Sequence, residues 1–183
     1  MQFSLPHTIE SGLGETMIFK EIIQEPDGDK VIIEGRCKPK AGPTMHIHFK
    51  QDEAITVVKG KMGCQILGQE PEYYGVGQTA TFLRNVPHRF WNAGEDELVI
   101  SSWVKPVNSL IFFLTTLYAA QKKSGSGRPE MFDAAYLMTK YKHEYDMPEL
   151  PFFVKKVIMP VTYLIGSFLG KYRKFYGAPE PLK

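Results

Sequence analysis

The sequence predicts a mainly β protein, a small antiparallel barrel or sandwich followed by a C-terminal α-helical extension. Three observations carry this. Short segments rich in β-branched and aromatic residues recur through residues 16–104, turn signals separate them, and after Pro106 the apolar pattern lengthens to a helical period. The expected strands are TMIFKEII (16–23), KVIIEGR (30–36), EAITVVK (53–59), KMGCQIL (61–67), TATFLR (79–84) and ELVISSWV (97–104). Between them lie PDGD at 26–29, PKAGP at 39–43, KGK at 59–61, YGVG at 74–77 and NAGED at 92–96, all rich in residues that turn the chain.

The extension begins with VNSLIFFLTTLYAAQKK (107–123), long and apolar enough for a buried helix. SGSGRP at 124–129 breaks it. EMFDAAYLMTKYKHEYD (130–146) then sets Met131, Ala134, Ala135, Met138, Tyr141 and Tyr145 at helical spacing, and a third segment runs from Pro151 to Tyr176. With 183 residues there is room for one well-buried domain and an appendage. The expected division is a β domain at 1–105 and a helical extension at 106–183, packed on the barrel or on a dimer partner.

Composition narrows the functional classes. The net charge of +2 divides into −3 over residues 1–105 and +5 over 106–183, without the dense basic face and reading element of a nucleic-acid binder. Cys37 and Cys64 lie in neither a disulfide framework nor a thiolate metal spacing, so buried, inert thiols are expected. The opening residues show no basic stretch followed by an apolar one, and a cytoplasmic location is the expectation.

The chemistry concentrates in MHIHFKQDEA (45–54). Residues i and i+2 of a strand share a face, so His46 and His48 project together while Ile47 and Phe49 point away. Glu53 follows a polar bend that can return its carboxylate to the imidazoles. In VPHRFWNAG (86–94), His88, Phe90 and Asn92 share one face. Three imidazoles and a carboxylate suit one divalent transition metal per chain (iron, manganese, nickel, copper or zinc) and leave positions open for water or substrate. A histidine pair alone fits a hydrogen-bonding surface feature equally well.

The wider pattern decides between these. His46, His48, Glu53 and Gly60, followed by Gly77, His88 and Asn92, resemble the two motifs of the cupin superfamily. Leu83 stands where that family usually has proline and Asn85 where it has glycine. Asparagine tolerates left-handed backbone angles, so Asn85 can make the same turn. The leading glycine of the first motif is displaced, with Gly42 only three residues before His46. The tail, with its basic, tyrosine-rich KYRKFYG, is similar to the helical extension of a group of uncharacterised bacterial cupin proteins.

The resemblance implies a small antiparallel β-barrel of the double-stranded β-helix or jelly-roll type. His46, His48, Glu53 and His88 would hold the metal, and the barrel would commonly pair as a homodimer. Inward-facing Ile55, Val57, Met62, Cys64, Ile66, Phe82, Phe90 and Asn92 would line a mostly apolar pocket for a small molecule, although a plain core role suits Met62, Cys64 and Ile66 at least as well; Arg84 and Arg89 read as solvated, with anchoring of an anionic substrate the second reading. The implied chemistry is a metal-dependent oxidoreductase of the dioxygenase type, with Glu53 taking a proton from the substrate. A non-catalytic ligand-binding or sensory barrel, and metal-assisted isomerisation, are the alternatives.

One segment stands apart. PFFVKKVIMPVTYLIGSFLGKYRKFY (151–176) is basic, aromatic and apolar, with no acidic residue. Its uncharged run, 157–170, is shorter than the ~20 residues that span a bilayer. Packing against the barrel or a partner copy is the favoured expectation, contact with a membrane surface the second.

Overall fold

The computed structural model describes residues 3–182. Met1, Gln2 and Lys183, the outer ends of the two expected segments, lie outside the described residues. The strands are β1 (His7–Glu10), β2 (Glu15–Ile23), β3 (Lys30–Cys37), β4 (Ile47–His48), β5 (Asp52–Lys59), β6 (Met62–Ile66), β7 (Glu72–Tyr74), β8 (Thr79–Phe82), β9 (His88–Asn92) and β10 (Leu98–Lys105). Every pairing is antiparallel. A six-stranded sheet runs β1-β2-β3-β10-β5-β8, and a three-stranded sheet runs β7-β6-β9. This is the expected jelly-roll arrangement. Among the described residues it is built as separate open sheets, without one hydrogen-bonded closed cylinder.

Strand alternation sets what lies between the sheets. Burial in β3, β9 and β10 follows a two-residue period, and the register Ile33–Ser102–Ile55 aligns inward residues across three strands. The small sheet covers only part of the large one. Over that part, Ile55, Val57, Ala80, Phe82, Leu98 and Ile100 meet Met62, Cys64 and Phe90 in one core. The uncovered inner face around β1–β3 would leave Phe19, Val31 and Ile33 wet, and the helices take that place.

Helix α1 (Leu110–Ser124) buries Leu110, Ile111, Phe112 and Tyr118 there, carries Lys122 and Lys123 in its last turn and ends at Gly125 with φ +64°. Helix α2 (Met131–Lys140) starts where the Glu130 side chain accepts from the Asp133 N–H and buries Ala134, Ala135 and Leu137. The 107–123 stripe is thus covered within the chain, and the larger core holds residues from both the strands and the extension.

Besides the short strands β1 and β7, which the sequence did not signal, two local features depart from expectation. The helical pattern through Tyr145 stops at Lys140, and Tyr145–Asp146 form β11, which pairs with β4. β4 is only two residues long, and its open backbone groups take the returning chain as a partner. In the third segment, α3 (Met159–Phe168) is preceded by a π-helical turn at Val154–Ile158. Pro160 lacks an N–H and crowds the carbonyl four residues back, so the preceding turn widens. This segment packs on α2, but within the chain its apolar stripe is left uncovered: Phe152, Phe153, Leu164 and Phe168 are exposed. No described helix is long and apolar enough to cross a membrane.

Candidate metal centre

The candidate ligands come from three places in the chain. His46 stands just before β4, His48 ends β4, Glu53 is the second residue of β5 and His88 opens β9. A reciprocal backbone pair, His46 N–H to His88 carbonyl at 2.9 Å and His88 N–H to His46 carbonyl at 2.8 Å, locks the first motif against the second. One ligand atom from each of His46, His48, Glu53 and His88 lies within 4.8 Å of the others. The turn feeding β9 depends on Asn85 at φ +69°, the left-handed geometry expected of it, and its N–H reaches the His48 carbonyl at 2.7 Å.

Ring orientation is set by the backbone. The Nδ1 atoms of His46 and His88 each lie 2.8 Å from a carbonyl, that of Thr44 and that of Val86. As donors there, both rings turn Nε2 towards the cluster centre. His88 Nε2 then faces Glu53 Oε2 at 3.1 Å, two electron-rich atoms that need a proton or a metal cation between them. His48 is buried, and its Nδ1 has no hydrogen-bond partner among the described residues. Phe82, opposite Glu53 across the β5–β8 ladder, stacks parallel on the His88 ring at 4.1 Å.

Protonation suits metal binding. Burial, and then the neighbouring His88, lowers the His46 pKa to about 4; burial and then His46 lowers His48 to about 3. Burial on its own would raise Glu53, but the His88 hydrogen bond and the three imidazoles hold it down to about 2. At neutral pH His46 and His48 therefore offer neutral nitrogens and Glu53 an ionised carboxylate. The donor set fits a divalent transition metal.

The cluster borders a cavity of about 160 Å³. Met17, Ile33, Ile100 and Val104 of the large sheet form one wall, and Leu110, Phe113, Leu117, Leu137 and Met138 of α1 and α2 form the other. Its polar groups are few. Besides the ligands they include Glu15, which accepts from the Tyr118 hydroxyl at 3.2 Å, and Gln121, whose buried Oε1 has no partner among the described residues. Burial raises the Glu15 carboxyl above its ordinary range.

The residues expected to line the pocket fall in different places. Phe90 borders the large cavity. Ile55, Val57 and Met62 do not reach it; they fill the core between the sheets, because facing inner strands pack against one another and leave no space. Cys64, Ile66 and Phe82 border a smaller cavity of about 90 Å³. Asn92 is structural in its contacts, donating to the Cys37 and Asp96 carbonyls and accepting from the Gly94 N–H. Arg84 pairs with Asp52, and Arg89 donates to Gln65. Burial pushes the Cys37 and Cys64 thiols up to about 12 and about 11, so neither is a thiolate.

Sequence reasoning missed the helix-borne wall and the network that fastens it. The Tyr145 ring stands edge-on to His48 at 5.6 Å, and buried Glu144 accepts from Gln51, Ser109 and the Leu182 N–H. No local signal marks these residues, since their partners lie from 35 to almost a hundred positions away.

Comparison with known proteins agrees with the geometry. A family model described as a cupin domain matches residues 34–104, the span that holds all four candidate ligands. Residues 34–104 are thus similar to that domain, and the match covers less than half of the chain. It is 27% identical over 101 residues to a protein named oxidoreductase iacF from Pestalotiopsis fici, a match covering 50% of each. The chain thus spans about half the length of the curated relative it matches. Among solved structures it is similar to the polyketide cyclase RemF from Streptomyces resistomycificus, at TM-score 0.45 and 22% identity over 57% of this chain and 78% of that one. A second is a Klebsiella pneumoniae protein with a double-stranded β-helix domain, at TM-score 0.42 and 17% identity over 58% and 83%.

Proposed function

We propose that this protein is a metal-dependent oxidoreductase of the dioxygenase type acting on a small, largely apolar molecule. One observation carries the reading: three imidazoles and a carboxylate converge within 4.8 Å at the edge of an apolar cavity of about 160 Å³. An apolar protein cavity of ~150 Å³ accepts a molecule the size of benzene, so a single-ring compound or a short diketone is of the right size. The relative named an oxidoreductase supports the same direction.

His46, His48 and His88 would hold the metal, with Glu53 as fourth ligand or as base. When bound, such an ion supplies Lewis acidity and, if redox-active, one-electron chemistry with dioxygen. The chain's own groups do the rest. The backbone carbonyls of Thr44 and Val86 keep two imidazoles in one tautomer and orientation. Glu53, held ionised, accepts a proton from an acidic O–H or C–H brought within hydrogen-bond reach. The side chains of α1 and α2 exclude water and press the apolar body of the substrate towards the ligands.

The test is metal content per chain by elemental analysis of protein purified without chelator, beside a His46→Ala, His88→Ala double variant. About one equivalent of iron, copper, nickel or manganese in the parent and none in the variant is expected, with oxygen uptake on adding small phenols or diketones. A loaded parent that consumes no oxygen with any of them would turn the reading to a non-catalytic binding barrel or to metal-assisted isomerisation. A parent that takes up no metal would overturn both.

A further inference from the structure

Between Pro151 and Tyr176 one face of large apolar side chains points away from the rest of the chain, while Phe175 is buried in the core and Tyr163 and Tyr172 pack against it. Phe153, Val157, Val161, Leu164, Ile165 and Phe168 recur every one to four residues and are exposed, Phe168 at 92%. Phe152 and Tyr176, at 75% and 93%, extend the patch at its ends. The opposite face is fixed. Gly166 is buried where any Cβ would meet Tyr172 at 2.4 Å and Phe132 at 3.0 Å, and Tyr163 stacks on Tyr172 with centroids 5.1 Å apart. The stripe is therefore held outward by tight packing behind it.

Charge says what it faces. No acidic residue occurs from 151 to 179. Lys155 and Lys174 are tied to Asp146 and Asp133. Lys156, near the start of the stripe, and Lys171 and Arg173, just beyond its end, pair with no carboxylate among the described residues; Lys171 lies over the Phe132 ring. A second copy laid on this face would bring two sets of cations together with nothing to neutralise them. An anionic lipid surface matches both halves of the pattern: headgroups for the cations and the acyl boundary for the aromatic and aliphatic side chains. The helical stretch 152–168 measures about 25 Å at 1.5 Å per residue, too short to span a bilayer and suited to lying along one.

We infer that the 151–176 segment is an interfacial docking element that seats this protein on an anionic membrane surface.

The test is co-sedimentation of the full chain with sucrose-loaded vesicles of phosphatidylcholine alone and of phosphatidylcholine mixed with phosphatidylglycerol. The protein should sediment with the anionic vesicles, far less with the neutral ones, and be released by salt. Each cation near such a surface contributes about fivefold to partitioning, so Lys156→Ala with Arg173→Ala should weaken binding roughly 25-fold. Leu164→Ser with Phe168→Ser should abolish it at an unchanged melting temperature, both side chains being exposed. A parent that stays in solution with anionic vesicles at low salt would overturn the inference. So would a serine variant that sediments as well as the parent. A parent that is a dimer, ignores vesicles and becomes monomeric with the serine pair would assign the face to a second copy and likewise refute membrane docking.

Discussion

Replacing Glu144 with alanine should loosen the helical extension from the strands while leaving the ligand backbone in place. The Glu144 carboxylate is fully buried and accepts from Ser109 Oγ at 2.9 Å, Gln51 Nε2 at 3.2 Å and the Leu182 N–H at 3.0 Å. In Glu144→Ala the Leu182 N–H, near the end of the chain, can turn to water. Gln51 and Ser109 lie in the interior and keep only the Tyr145 hydroxyl, at 3.1 and 3.3 Å. A buried donor left without its acceptor costs about 1–3 kcal/mol. With the residual Tyr145 contacts counted, the two together cost about 3 kcal/mol. For a chain of this length that lowers the melting temperature by roughly 6–12 °C. Thermal unfolding followed by circular dichroism reads the loss. The Phe49 N–H to Glu144 carbonyl bond and the β4–β11 pairing involve backbone alone, so metal content should fall much less than stability. A melting temperature within a degree or two of the parent would refute the claim that this carboxylate fastens the extension.

Two further predictions concern other parts of the same region. A Cβ at Gly42 would stand 2.2 Å from the Phe90 carbonyl oxygen, so Gly42→Ala should force the 38–45 loop off β9, break the Asn92 N–H to Ala41 carbonyl bond and displace His46, lowering metal content as well as stability by about 2–4 kcal/mol; an unchanged variant would show that the loop relaxes freely. Glu15 has its folded pKa raised by burial above the ordinary 4.5, so the folded state holds this proton more tightly than the unfolded chain; its contribution is complete below pH 4.5 and is lost as pH rises through the raised value. Glu15→Gln should therefore gain melting temperature over the parent at neutral and mildly alkaline pH and lose that gain in acid, and a gap independent of pH would refute this.

The local part of the site was legible because strand geometry is local. In HIH the pleat alone dictates that His46 and His48 share a face, and the short bend to Glu53 leaves its carboxylate few directions. His88 was legible through its spacing from Gly77 and Asn92, not through its immediate neighbours. Asn85 could be read because few residues other than glycine accept φ +69°. The pocket was less legible. Alternation correctly turned Ile55, Val57 and Met62 inward, but an inward direction does not say whether a side chain meets open space or another sheet.

What the sequence by itself determined is the longer strands, the turns between them and the directions of the four ligand side chains, because each follows from dihedral preferences and the two-residue pleat within a few positions; the short β1, β7 and β11 were not read from it. The tertiary structure decided what stands in front of those side chains. The narrow second sheet leaves part of the large sheet bare, and α1 and α2 close over it to make the cavity wall. Tyr145 leaves its helical pattern to pair with His48, almost a hundred residues earlier. The stripe from Phe152 to Phe168 stays in the open although its composition suits a core equally well. Burial depends on which distant surfaces fit one another best, and local sequence carries no record of that competition.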